Sequence, residues 1–76
     1  MIRRDDIFRL FRAAEIGLDG SDLDDDKPLA AQGLDSLDLA NLLFQIEQTY
    51  GLTISPEDAS RLRSVRDMVD YVGARK

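Results

Sequence analysis

The chain contains no cysteine, no histidine and no tryptophan, and only two prolines in 76 residues. Without cysteine there are no disulfides, zinc ribbons, iron–sulfur clusters or thiol nucleophiles. Without histidine there is neither a His-based catalytic triad nor an imidazole metal ligand. No apolar run approaches the ~20 residues of a membrane span, and no apolar segment follows the charged start as in a secretory signal. The expectation is therefore a soluble, cytoplasmic protein. What the chain does have is a 43% apolar fraction, enough for one small core. At this length the core is near the lower limit for folding without a metal or disulfide, with a net stability of about 4–11 kcal/mol.

Charge is plentiful but unevenly placed. Between Asp19 and Asp58 ten acidic residues face Lys27 alone, a local charge of −9 in a chain of −5. The flanks are accordingly basic, through Arg3, Arg4, Arg9 and Arg12 at one end and Arg61, Arg63, Arg66, Arg75 and Lys76 at the other. A negative middle opposes nucleic acid and anionic membranes as partners and favours a basic protein surface. The same excess also serves simple solubility.

The periodicity predicts an all-α fold, a small four-helix bundle with three longer helices, one short one and a long acidic loop, in a single domain spanning residues 1–76. A first helix is expected from about Arg4 to Ile16, with Ile7, Leu10, Phe11 and Ala14 on one face and Gly17 as its terminator. The acidic connection from Leu18 to Leu34 calls for anchors, and Leu23, Leu29 and Leu34 supply them. Asp22, Asp24 and Asp26 match the first three ligand positions of an EF-hand loop, but Lys27 and Gly33 replace its glycine and glutamate. No dedicated metal site follows from this; weak divalent-ion binding stays open.

The second helix should run from Ser36 to Tyr50, with Asp35 as N-cap, Asp38 completing a capping box and Gly51 as stop. Ser55 and Pro56 open a short third helix, and Ser64 with Asp67 opens a fourth that ends near Gly73. The segment Leu52–Ile54 is too short to build a sheet.

At ~100° per residue, Leu39, Leu42, Leu43, Ile46 and Tyr50 of the second helix lie within about 60° of one direction, a full core-facing stripe. Leu37, Ala40 and Phe44 form a second stripe roughly 130° away. They are edged by Asp38 and Glu47. Either the long loop covers this stripe, or it meets a partner. Ser36, in the first turn, has two readings as well. It belongs to the cap, or it is a serine modified by another enzyme, since a helix N-terminus favours a bound phosphate. Serine catalysis is excluded for want of a base, and Gly33-Leu34-Asp35-Ser36-Leu37 lacks the G-x-S-x-G spacing.

Gly33-Leu34-Asp35-Ser36-Leu37-Asp38-Leu39, followed by Leu42, Leu43, Ile46, Glu47, Tyr50-Gly51 and Ile54, resembles the acyl carrier protein family, of the free-standing type. The resemblance covers nearly the whole chain. It implies a non-enzymatic carrier. Ser36 would receive 4′-phosphopantetheine from coenzyme A through a separate phosphopantetheinyl transferase, with Asp35 helping to hold magnesium in that complex. Acyl groups would then travel as thioesters among acyl-loading and acyl-processing enzymes with basic or apolar docking surfaces. The resemblance makes Asp35, Leu37, Asp38, Ala40, Phe44 and Glu47 the partner surface. It places Leu42, Ile46, Ile54, Ala59 and Leu62 near a sheltered acyl chain, alongside their role in core packing. The expected state is a monomer. Neutral Asn41, Gln45 and Gln48 thin the acidic field of this helix, which favours a specialised lipid, polyketide or aminoacyl pathway over housekeeping fatty acid synthesis. An unmodified interaction module on the same bundle is the competing reading.

Overall fold

The computed structural model describes residues 2–17 and 23–75. Among them are four α-helices and no strand: α1 Arg4–Ala13, α2 Ser36–Tyr50, α3 Pro56–Ala59 and α4 Val65–Arg75. The architecture is thus the expected one, with three longer helices and one short one. Asp22, and with it the first position of the EF-hand-like spacing, lies outside the described residues.

The apolar periodicity accounts for the core. Ile7, Leu10 and Phe11 of α1, Leu42 and Ile46 of α2, and Val65, Met68 and Val72 of α4 are buried in one cluster. α1 is the central partner, packing against both α2 and α4. Phe8 and Phe11 meet edge to face at 5.6 Å between ring centroids, the preferred geometry for aromatic pairs. Within the stripe expected to face the core, Leu42 and Ile46 are fully buried, whereas Leu39, Leu43 and Tyr50 are half-buried at its margins.

α1 is shorter than its periodicity predicts. It ends at Ala13, and the reversal is made by Glu15 at φ 58°, not by Gly17. The Glu15 N–H donates to the Arg12 carbonyl at 3.1 Å and the Ile16 N–H to the Phe11 carbonyl at 2.9 Å. This is the paired bonding of a Schellman cap, with buried Ile16 and Phe11 supplying its apolar contact. The gain from those two bonds and that burial offsets the ~1 kcal/mol that a non-glycine residue loses in the left-handed region. α4 in turn runs two residues past Gly73 to Arg75. A helical glycine costs about 1 kcal/mol relative to alanine and does not by itself terminate a helix.

The visible part of the acidic loop is fastened. Leu29 and Leu34 are buried and Leu23 is half-buried against the core, as their spacing predicts. A 3₁₀ turn, Leu29–Gln32, links them. Its Leu29 N–H donates to the Arg63 carbonyl at 2.7 Å. Asp25 takes a two-pronged contact from Arg4 at 2.7 and 2.8 Å, and Asp26 pairs with Arg66. Asp24 accepts the Asp26 N–H at 2.9 Å, and Gln32 bonds the Asp24 backbone at both its N–H and its carbonyl. These acids therefore neutralise arginines from the two ends of the chain. Among the described residues no cluster of three or more potential metal ligands forms.

Candidate functional site

Two buried anchors and two caps place Ser36. Gly33, in the left-handed region at φ 109°, closes the 3₁₀ turn and sends buried Leu34 into the core. Asp35 is extended, and its carboxylate accepts the Asp38 N–H at 2.8 Å. Asp38 answers by accepting the Asp35 N–H at 3.4 Å. The predicted capping box is present in full, and the first helical bond runs from the Leu39 N–H to the Asp35 carbonyl at 3.1 Å. Ser36 is the first helical residue after the cap, and it is exposed.

The described serines differ in how their hydroxyls are used. Ser55 accepts the Asp58 N–H at 3.1 Å, and Ser60 donates to the Glu57 carbonyl at 2.6 Å. Ser64 is buried and accepts the Asp67 N–H at 3.1 Å. Among the described residues, the Ser36 hydroxyl alone of these four makes no hydrogen bond. No base activates it, so the site has no nucleophilic chemistry of its own. The Ser36 and Leu37 N–H groups at the first two helical positions have no carbonyl partner within the helix. They also lie at the positive end of a 15-residue dipole. A free, exposed hydroxyl beside such amides fits a phosphodiester-linked group.

The second stripe of α2 is not covered by the loop. Leu37 is 67% exposed and Phe44 54%, and Ala40 between them is exposed. Its acids are less free than their positions imply. Asp38 is half-buried in the cap, and Glu47 accepts the Ile54 N–H at 2.8 Å through Oε2. On the opposite side, Leu42, Ile46 and Leu62 are buried in one cluster with half-buried Ile54 against it; Ala59 is half-buried on α3.

Two arrangements were not anticipated. One is the Glu47–Ile54 bond, which straddles the Gly51 turn. The other joins α3 to α4: Tyr71 donates to Asp58 Oδ2 at 2.9 Å, and Arg75 reaches the same oxygen at 3.5 Å. No short-range pattern signals either, since the partners are seven and 13 or more residues apart.

Comparison with known proteins agrees with this geometry. A family model described as "Phosphopantetheine attachment site" matches residues 6–72. The acyl carrier protein of Chlamydia felis is 31% identical over the whole chain and 97% of its own length. That of Solidesulfovibrio magneticus is 32% identical over 82% of the chain and 81% of the relative. A shorter match, 46% identical, covers 57% of the chain and 54% of the acyl carrier protein of Syntrophus aciditrophicus. Among the described residues no helix is long and apolar enough to cross a membrane. The chain belongs to the acyl carrier protein family, whose members are carriers and not catalysts, with 4′-phosphopantetheine as the covalent cofactor.

Proposed function

We propose that Ser36 is the attachment residue and that the chain carries acyl groups between enzymes of a specialised lipid, polyketide or aminoacyl pathway. The observation that carries the assignment is the contrast among serine hydroxyls: Ser55, Ser60 and Ser64 are engaged, and Ser36 is free at a helix start. When bound, the phosphopantetheine arm supplies a terminal thiol that holds acyl groups as thioesters. The chain itself contributes position. Leu34 and the Asp35–Asp38 box hold Ser36 at a fixed place, and Asp35 is the acid that a transferase's magnesium would meet. Leu37, Ala40 and Phe44 form the surface for the transferase and acyl-handling enzymes, with Asp35, Asp38 and Glu47 at its rim. Leu42, Ile46, Ile54, Ala59 and Leu62 line the side on which an acyl chain would be sheltered.

The specialised pathway rests on the thinness of the acidic field on α2. Asn41, Gln45 and Gln48 are neutral, and Glu47 is bonded to Ile54. Apolar contact at Leu37 and Phe44 then carries more of the docking than charge steering does. Incubation with coenzyme A and a phosphopantetheinyl transferase, followed by intact mass measurement, tests the attachment. The wild type should gain the mass of the arm and Ser36→Ala should not. A gain in Ser36→Ala, or none in the wild type with several unrelated transferases, overturns the assignment, the latter in favour of an unmodified interaction module.

A further inference from the structure

α3 is held differently from every other helix. It has four residues and buries none of them, whereas α1, α2 and α4 each place at least two side chains in the core. A helix of one turn has no independent stability, since its nucleation cost is not recovered. Its local order comes from Ser55 as cap, Pro56 at the first position, and the Ala59 and Ser60 N–H groups bonding back to Ser55 and Pro56 at 2.8 and 3.2 Å.

The apolar anchors lie at its ends. Leu52 and Ile54 are half-buried before it, and Leu62 is buried after it. Between them, the contact to the rest of the fold is polar. Asp58 Oδ2 accepts from the Tyr71 hydroxyl at 2.9 Å and from Arg75 at 3.5 Å. The Arg75 guanidinium lies 3.6 Å from the Tyr71 ring centroid and so holds both donors together over one carboxylate. A segment with few buried contacts and exposed backbone bonds belongs to the low-stability end of local opening.

We infer that residues 55–61 form a strap that opens as a unit from α4, and that Tyr71, Asp58 and Arg75 are the latch that sets how often it opens. Opening detaches the middle of the strap while the contacts of α1 with α2 and α4 persist. It thereby gives access to the core beside Ile54 and Leu62 without global unfolding. Tyr71 carries the larger share. Its bond is short, half-buried and charge-assisted, whereas the Arg75 contact is longer and more exposed. The inference does not depend on what Ser36 carries.

Native-state hydrogen exchange on the full chain, followed by NMR, tests it. In the wild type the Ala59, Ser60 and Arg61 amides should exchange faster than those in the middle of α1 and α2. Tyr71→Phe, which keeps the ring, should raise exchange at those three amides roughly five-fold, the factor set by one net hydrogen bond. Amides of Leu10 and Ile46 should be unchanged. Arg75→Gln should act at the same three amides and by less. A uniform rise across all helices would make Tyr71 a contributor to global stability only. That outcome, or no rise at residues 59–61, overturns the latch.

Discussion

Leu42 and Leu37 are the same residue on the same helix with opposite fates. Leu42 is wholly buried, whereas Leu37 is 67% exposed. They are five residues apart, which turns them about 140° from each other around the axis. The buried side of α2 holds the bundle together. The exposed side contributes little to folding, and its cost is tolerated because a partner can use it. A second contrast runs parallel in charge. Asp25 and Asp26 are paired with Arg4 and Arg66, whereas Asp35 and Asp38 are bonded to backbone N–H groups. Acidity in the loop is structural, and acidity at the start of α2 stays available to a basic surface.

The contrast between the two faces breaks most readily at Leu42. Leu42→Ala should cost about 2–5 kcal/mol through lost burial and a residual cavity, a large part of the whole stability. Leu37→Ala should stay within about 0.5 kcal/mol. Urea titration followed by circular dichroism distinguishes them, and equal costs would mean that the exposed stripe is part of the fold. The converse substitution is Phe44→Asp. It should lower transfer by a cognate acyl-loading enzyme roughly ten-fold, as for a central apolar contact worth ~1.4 kcal/mol, with little change in melting temperature. A large loss of stability there would place Phe44 in the core after all.

The smallest effect is electrostatic. The Tyr71 phenol is pushed above its usual value by burial first and by its bond to Asp58 second, and Tyr50 is raised by burial and then by Asp6. Both folded values exceed the unfolded one, so their contribution is intact below pH ~10 and is lost as pH rises through the raised values. The urea midpoint should therefore be level from pH 8 to 10 and fall above it, and less steeply in Tyr71→Phe. A midpoint that climbs above pH 10 would contradict the direction of both shifts.

Most of α2 was legible because its signals are local. Asp35 and Asp38 cap it, Gly51 stops it at φ 67°, and a 3.6-residue period separates its two faces. The caps of α3 and α4 are read in the same way, from Ser55-Pro56 and from Ser64 with Asp67. The misses are positions where tertiary contact overrode a local preference. Glu15 took the left-handed turn that Gly17 was suited to, because the buried pair Phe11 and Ile16 sets where the chain must reverse. Gly73 stayed helical. The ion pairs of the loop and the bond between Tyr71 and Asp58 join residues far apart in sequence, where no periodicity reaches. At the site itself, the place of Ser36 was readable, but its freedom was not. That required knowing how each of the other hydroxyls is occupied.

The free hydroxyl and the uncovered stripe share one side of α2. Ser36, Ala40 and Phe44 are each four residues apart, so they follow one another within about 80° of arc and ~12 Å of axis. A protein that settles on Phe44 with an ordinary footprint of ~800 Å² blankets Ser36 as well. Visitors must therefore queue. Whichever enzyme is docked excludes the next, and the order of events on this molecule is governed by departures as much as by arrivals.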